Sequence, residues 1–344
     1  MANTIYDLAR AAGVSIATVS RALNDHYAVS EETKARIRAL AEEMDYRPNA
    51  RARSFARQKS GIVLFVTDLH RNVAFENPHM FEIMTGISHY LDEKNYALLL
   101  KHVATGDAPQ LIRELMIREQ ADGVIIHAAI LSKALAGTLR HLDLPHLVIG
   151  KPDFPTPICW MDVNHEQAGQ KAANYLLDKG YRRMVFLMGD QETDKISAAR
   201  RDGMLHMFAE EELSFITLYG DSTYESGFML CQEALSMPER PEILLCTNNY
   251  LAMACLQVLR QNGLSVPQDI AIMTFDNYPF SMLTQPQLTA VEADMYDMGQ
   301  EAARFILRKI RMPELQTQSY CTIPRVVERE STYSIKVNTV SCRT

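Results

Sequence analysis

Apolar positions recur at helical spacing along the first fifty residues and in short continuous runs along the rest, so two kinds of structure are predicted. Thr4 precedes a run in which Leu8, Ala9 and Ala12 share a helical face, and Asp7 follows three residues later. Thr4 is therefore expected as an N-cap in a capping-box-like arrangement. Gly13 suits a break at positive φ, where a Cβ would clash. Ser15 can cap a second helix whose Val19, Ala22 and Leu23 turn back onto the first, leaving Ile16, Ala17, Thr18, Ser20 and Arg21 outside. A third helix follows, with Ser30 as cap, Thr33 in its first turn, and Ile37, Leu40, Ala41 and Met44 as its buried stripe. Two short helices around a glycine turn, the second presenting small polar side chains and one Arg, make a helix-turn-helix able to lie in the DNA major groove.

From Gly61 onward, strand-like apolar runs (61–66, 97–100, 123–127, 146–149, 184–188, 215–218, 243–246 and 270–275) alternate with helical patterns such as 81–94, 166–179, 223–236 and 249–262. Continuous apolar strands with crossover helices imply parallel sheets covered on both faces. About ten strands are unwieldy in one sheet, so two α/β subdomains are expected. A ligand would then sit in the crevice at the carboxyl ends of the strands. The expected architecture is an all-α helix-turn-helix head plus an α/β body of two parallel-sheet subdomains.

Residues 47–59 join the two. Pro48 pushes Arg47 out of the α region, and Asn49 can cap a short helix after it. About seven residues cannot hold a helix alone in water, because nucleation is costly. Four basic residues (Arg51, Arg53, Arg57, Lys59) follow Asn49 with no acid among them. A disordered basic linker is the alternative reading of this segment.

Charge sharpens the division. Residues 1–60 hold ten Lys and Arg against seven Asp and Glu, a net of +3, so the total of −7 leaves −10 on the rest. A basic head on an acidic body localises the attraction for phosphate. The six Cys (159, 231, 246, 255, 321, 342) show no CxxC and no metal spacing with His, as expected for buried thiols in a reducing cytoplasm. No apolar stretch approaches a membrane span, and no signal-peptide core is evident, so a soluble cytoplasmic protein is expected. No cofactor and no metal are expected.

The segment Ala12 to Arg21, Ala-Gly-Val-Ser-Ile-Ala-Thr-Val-Ser-Arg, resembles the signature of the lactose/galactose repressor (LacI/GalR) family of bacterial transcription regulators. Val29 to Thr33 and Tyr46 to Ala50 follow at that family's spacing. The resemblance implies that Ile16, Ala17 and Arg21 read bases. The chemistry agrees: Arg21 can grip guanine O6 and N7 bidentately, whereas Ile16 and Ala17 can only pack, as on thymine methyl groups. Thr4, Ser15, Thr18, Ser20, Asn24, Ser30, Thr33 and Tyr46 are short polar or phenolic groups suited to phosphate oxygens, though some can serve instead as helix caps. For the linker the resemblance implies a helix that folds on DNA, pairs with its twin and wedges an apolar side chain into the minor groove. Asn49, Ala50, Arg53 and Phe55 are its candidate residues, with Phe55 standing where the family usually has Leu.

The resemblance continues to about Thr332, through Gly180 to Arg183, Tyr224 to Gly227 and Val266 to Ile270. It implies a body like the type I periplasmic sugar-binding proteins, crossed three times by the chain, near 158–162, 288–291 and 322–324. The implied division is a head at 1–46, a hinge at 47–60, an effector-binding and dimerisation body at 61–332 and a tail at 333–344. Of the family pocket, Arg200, Asn248 and Asp276 are present, the last two after predicted strands; such groups can bracket vicinal hydroxyls. His79 and Met80 stand where two aromatics usually follow Asn77-Pro78, after an extra loop at 71–76. Ser222 replaces an aromatic, and Asn249 replaces the Asp that commonly follows the pocket Asn. These six, His79, Met80, Arg200, Ser222, Asn248 and Asp276, are the candidate effector contacts; lone Trp160 is expected to pack at a crossing.

The implied function is a homodimeric repressor of a carbohydrate-utilisation operon. It would bind double-stranded operator DNA under control of a sugar or sugar phosphate held between two lobes. Two rivals remain. One is a regulator whose body senses a protein or a non-sugar metabolite. The other is an α/β enzyme, against which stands the lack of GxGxxG after a strand, GxxxxGK[ST], GxSxG and HExxH.

Overall fold

A computed structural model of the chain describes residues 4–23, 27–44, 46, 60–69, 71, 77–104, 106–117, 121–141, 144–277, 279–314 and 319–333. It divides into two compact units, residues 1–62 with 115–122, and residues 63–114 with 123–344.

The described residues of the first unit include the helices α1 (Ile5–Ala12), α2 (Ile16–Leu23) and α3 (Glu31–Glu43). Local chemistry sets their ends. Thr4 and Asp7 form a full capping box, and Gly13 closes α1 at φ 64°, its N–H reaching Ala9 and Arg10 carbonyls. Ser15 Oγ accepts from Thr18 N (3.1 Å) and Ser30 Oγ from Thr33 N (3.3 Å). Leu8, Ala9, Ala12, Val19, Ala22, Val29, Ile37 and Ala41 make one small core, with Leu23, Leu40, Met44 and Tyr46 packed at its edge.

The second unit has two lobes, each built on a six-stranded sheet. Its elements run β1 (Ile62–Thr67), α4 (Pro78–Glu93), β2 (Ala97–His102), α5 (Ala108–Ile117), β3 (Gly123–His127), α6 (Lys133–His141), β4 (His146–Ile149) and β5 (Trp160–Val163). Then come α7 (His165–Lys179), β6 (Arg183–Met188), α8 (Lys195–Phe208), β7 (Ser214–Tyr219), α9 (Tyr224–Leu235), β8 (Ile243–Cys246), α10 (Asn249–Gln261) and β9 (Ala271–Thr274). The last are α11 (Pro279–Leu283), β10 (Thr289–Glu292), α12 (Met295–Arg311), β11 (Tyr320–Thr322) and β12 (Arg325–Val327).

The sheet orders are β11-β5-β4-β3-β1-β2 and β12-β10-β9-β8-β6-β7. Central strands such as β8 and β9 are buried throughout, as parallel strands covered on both faces must be. One pairing departs from the all-parallel expectation: β12 runs antiparallel to β10. The chain changes sheet after β5, after β10 and between β11 and β12. Segments 158–162 and 288–291 thus fall largely within β5 and β10, and the change of lobe follows them.

Paired glycines bring the main helices of each lobe into backbone contact. In the second lobe a Cβ on Gly169 of α7 would lie 1.9 Å from the Arg200 carbonyl oxygen of α8. One on Gly203 of α8 would lie 2.0 Å from the Glu166 oxygen of α7. In the first lobe Gly86 of α4 and Gly299 of α12 abut Tyr296 O and Ile83 O in the same reciprocal way, at 2.1 and 2.2 Å. Each pair lies one to two turns from helix ends carrying the polar residues described next.

Candidate functional site

On the head, α2 turns Val19 and Ala22 into the core, and the other side of the helix is left to solvent. Ile16 (38% exposed), Ala17 and Arg21 are exposed there, and Thr18 and Ser20 are half-buried beside them. An exposed Ile, with an exposed Arg one turn beyond Ala17 on the same capped helix, serves nothing in the head's own core. It is a surface able to meet base edges. The polar residues around it are partly committed within the chain. Thr4 Oγ1 donates to Asp7 Oδ2 at 2.6 Å, and Ser15 and Ser30 share 2.9 Å hydroxyl contacts with Thr18 and Thr33. Tyr46 packs on the head core, its N–H on Ala41 O at 2.8 Å. Asn24, Asn49, Ala50, Arg53 and Phe55 lie outside the described residues.

Between the two lobes of the second unit lies a cavity of about 240 Å³, lined in part by His79, Glu82, Arg200, Phe275, Asp294 and Tyr296. His79 sits in the first turn of α4, which Asn77 caps through Met80 N at 3.2 Å. Its Nε2 lies 2.7 Å from Asp276 Oδ1, a contact that ties the first lobe to the end of β9 in the second. Asp276 Oδ2 accepts from Asn249 N at 3.3 Å, and Ser281 Oγ donates to the Asp276 carbonyl at 2.6 Å. Burial pushes the Asp276 carboxyl up. The His79 charge and hydrogen bond, Arg200 and the Asn249 N–H outweigh that and hold it below the usual carboxylate range.

Arg200 projects from α8. Its Nη1 donates to Thr247 O at 3.1 Å, and its guanidinium lies 4.8 Å from the Phe275 ring centroid. Its Nε is shut off from solvent and has no hydrogen-bond partner among the described residues. Burial lowers its pKa, opposed by the carboxylates of Asp276, Asp194 and Asp162.

Three of the six expected effector residues, His79, Arg200 and Asp276, are thus brought together. Asn248 and Ser222 meet each other instead. Asn248 caps α10 through Leu251 N (2.9 Å) and donates to Ser222 O (3.0 Å), and neither residue lines the cavity. Met80 corrects the expectation outright. It is 2% exposed, packed in the first lobe's core, and Thr67 Oγ1 donates to its sulfur at 3.6 Å. Neighbouring residues in one helical turn face different ways, His79 to the cavity and Met80 to the core.

The sequence pattern missed a polar group where the chain passes from the first lobe to the second. Asp162, in β5, accepts from Lys151 N (2.8 Å) and Val163 N (2.7 Å), and His165 Nε2 lies 3.3 Å from its Oδ1. Burial raises the Asp162 carboxyl, but His165 and the two backbone donors bring it below the usual value. His165 is held below 6.5 by burial first, its bond to Asp162 opposing and the Arg200 and His79 charges adding to the fall. Its Nδ1 is buried without a partner among the described residues, as is Thr322 Oγ1 at the end of β11. His127, at the end of β3, is likewise lowered by burial, against the pull of Asp162. The only available signal was position: all four residues stand at or just beyond strand ends.

Among the described residues no helix is long and apolar enough to cross a membrane. Residues 4–49 match the family model for bacterial regulatory proteins of the lacI family, and residues 173–332 match that for a periplasmic binding protein-like domain. The chain is 29% identical over 334 residues to catabolite control protein A of Priestia megaterium, covering 96% of this chain and 99% of the relative. It is 29% identical over 336 residues to the ribose operon repressor of Escherichia coli (strain K12), covering 95% and 99%. The structure of the lac repressor dimer bound to operator and the anti-inducer ONPF superposes with a TM-score of 0.79 at 22% identity. That match covers 97% of this chain and all of the other, and it speaks to the fold.

Proposed function

The chain belongs to the lacI family of DNA-binding transcription regulators, and from that premise we propose a homodimeric repressor of a carbohydrate-utilisation operon, tuned by a sugar or sugar phosphate between its lobes. The observation that carries the DNA-reading part is the exposed Ile16, Ala17 and Arg21 on a helix whose opposite side is committed to the head's core. Arg21 reads guanine and Ile16 and Ala17 pack on thymine methyls. Thr18, Ser20, Thr33 and Tyr46 meet phosphates, while the hydroxyls of Thr4, Ser15 and Ser30 chiefly hold helix ends. Asn24 joins the phosphate contacts, and Asn49, Ala50, Arg53 and Phe55 serve the minor groove. It works where bacterial DNA is, in the cytoplasm.

The effector reading rests on polar groups gathered at the cavity from both lobes, half-buried His79 from the first and Arg200 and buried Asp276 from the second. The names of relatives support a sugar, since one is a ribose operon repressor. A ligand that changes the relation of the lobes shifts the operator-binding population. Moving that equilibrium from about 1:99 to 99:1 takes roughly 5.5 kcal/mol of differential affinity.

Selection of duplexes from a random pool tests the reading. The intact chain is expected to enrich a two-fold symmetric sequence carrying guanine in each half-site, and sedimentation is expected to give one dimer per duplex. Recovery of duplexes with no shared sequence would contradict it.

A further inference from the structure

Whether the effector carries a phosphate can be argued from groups that the family pocket residues do not account for. Three buried polar atoms have no partner among the described residues: Arg200 Nε in the cavity wall, His165 Nδ1 on the segment between the wall residues Val163 and Ala168, and Thr322 Oγ1 two residues before the wall residue Pro324. Buried polar atoms are seldom left so without a ligand or water to meet them. The pocket carboxylate, Asp276, is by contrast already engaged by His79.

The chemistry of His165 fixes what it asks for. Asp162 accepts two backbone N–H groups and is held ionised, so the imidazole nitrogen facing it, Nε2, is the one that carries hydrogen. A neutral ring then offers a lone pair at Nδ1. Arg200 Nε offers a hydrogen, and Thr322 Oγ1 can do either. An acceptor and a donor together suit a hydroxyl, which both donates and accepts. An oxygen of the fully ionised phosphate only accepts, and would set its lone pair against that of Nδ1.

Charge points the same way. The Arg200 guanidinium already faces Asp162, Asp194 and Asp276. The cavity wall adds Glu82 and Asp294. Arg325 is bound to the wall residue Glu292 at 2.8 Å, and Arg329 is turned to Asn277 Oδ1 and the Leu288 carbonyl. A phosphate monoester, carrying about −1.5 to −2 at pH 7, would enter a site whose fixed charge is already negative.

We propose that the Asp162–His165 pair, standing where the chain passes from the first lobe to the second, forms part of the effector site, and that with Arg200 it selects an unphosphorylated polyol. This rests on the effector reading above and narrows it. His165 and Arg200 touch the ligand; Asp162 is a positioning residue that fixes the His165 tautomer.

The test is the melting temperature of the intact chain with free D-ribose, D-xylose, D-glucose and D-galactose, each set against its phosphate monoester, and with inorganic phosphate alone. At least one free sugar is expected to raise the midpoint while its monoester and inorganic phosphate do not. His165→Ala is expected to weaken that sugar's affinity by about tenfold or more. His165→Gln, whose amide oxygen can accept, is expected to retain part of it and carries the comparison if the alanine variant does not fold. Asp162→Asn should lower affinity and change the nitrogen chemical shifts that report the His165 tautomer. Stabilisation by phosphorylated compounds alone, or a free-sugar response unchanged in both His165 variants, overturns the inference and leaves metabolite sensing standing. No response to any compound overturns both.

Discussion

The contact between α7 and α8 makes the sharpest structural prediction, because it sets where His165 and Arg200 stand. In Gly169→Ala the new Cβ would lie 1.9 Å from the Arg200 carbonyl oxygen and 3.1 Å from its Cα. Both obstacles are backbone, so no side-chain rotation relieves them. The helices must part by about 1 Å or more in a close-packed interior, which falls at the upper end of the 1–3 kcal/mol typical of overpacking. Replacing glycine by alanine inside a helix returns about 1 kcal/mol of propensity. The net expected loss is about 2 kcal/mol, a fall of about 1 M in the urea midpoint. Gly137→Ala in α6 is the control: its Cβ meets nothing within 4 Å, so stability should hold or rise by about 0.5–1 kcal/mol. Effector-induced stabilisation should also weaken in Gly169→Ala, since Arg200 shifts with its backbone. A Gly169→Ala protein that unfolds at the wild-type midpoint and keeps its ligand response would refute the reasoning.

Other outcomes follow from the head, the cleft and the buried imidazoles. Arg21→Ala should lose about 1–3 kcal/mol of discrimination between operator and random duplex in a competition gel shift, with nonspecific binding largely kept; unchanged discrimination speaks against base reading. His79→Ala removes the 2.7 Å contact with Asp276 that joins the lobes, so small-angle scattering of the ligand-free body should show a larger radius of gyration, and superimposable profiles would count against a latch. His127 is held below 6.5 by burial, so the folded chain stays neutral where the unfolded chain takes up a proton. Its contribution is complete above about pH 6.5 and is lost as pH falls from there through the folded value. The melting temperature should drop between about pH 7 and pH 5, and His127→Gln should flatten that slope; an identical slope would remove the assignment.

The head was legible because its signals are local. Thr4, Gly13, Ser15 and Ser30 each act within three or four residues of themselves, and the apolar stripe repeats over whole turns. The central strands were legible as continuous apolar runs. Strands β5, β10, β11 and β12 were not, being three or four residues long with polar positions among them, and paired with segments well separated in the chain. The same distance explains the site. His79, Arg200 and Asp276 stood out by type and by place relative to strands, yet nothing in the sequence says that His79 crosses 197 positions to meet Asp276. Asp162 and His165 carry no motif; only the fold brings them near Arg200. Met80 was drawn in by its place after Asn77-Pro78, where the family usually has an aromatic, though the helix turns it away from His79.

The most direct test of the account is the affinity of the intact chain for a duplex taken from the DNA flanking its own coding region, against a scrambled duplex of equal length, across a range of salt. The account predicts binding at least about 10³-fold tighter to the flanking duplex at physiological salt, and weakening for both as salt rises. Equal affinity for the two at every salt concentration would contradict it.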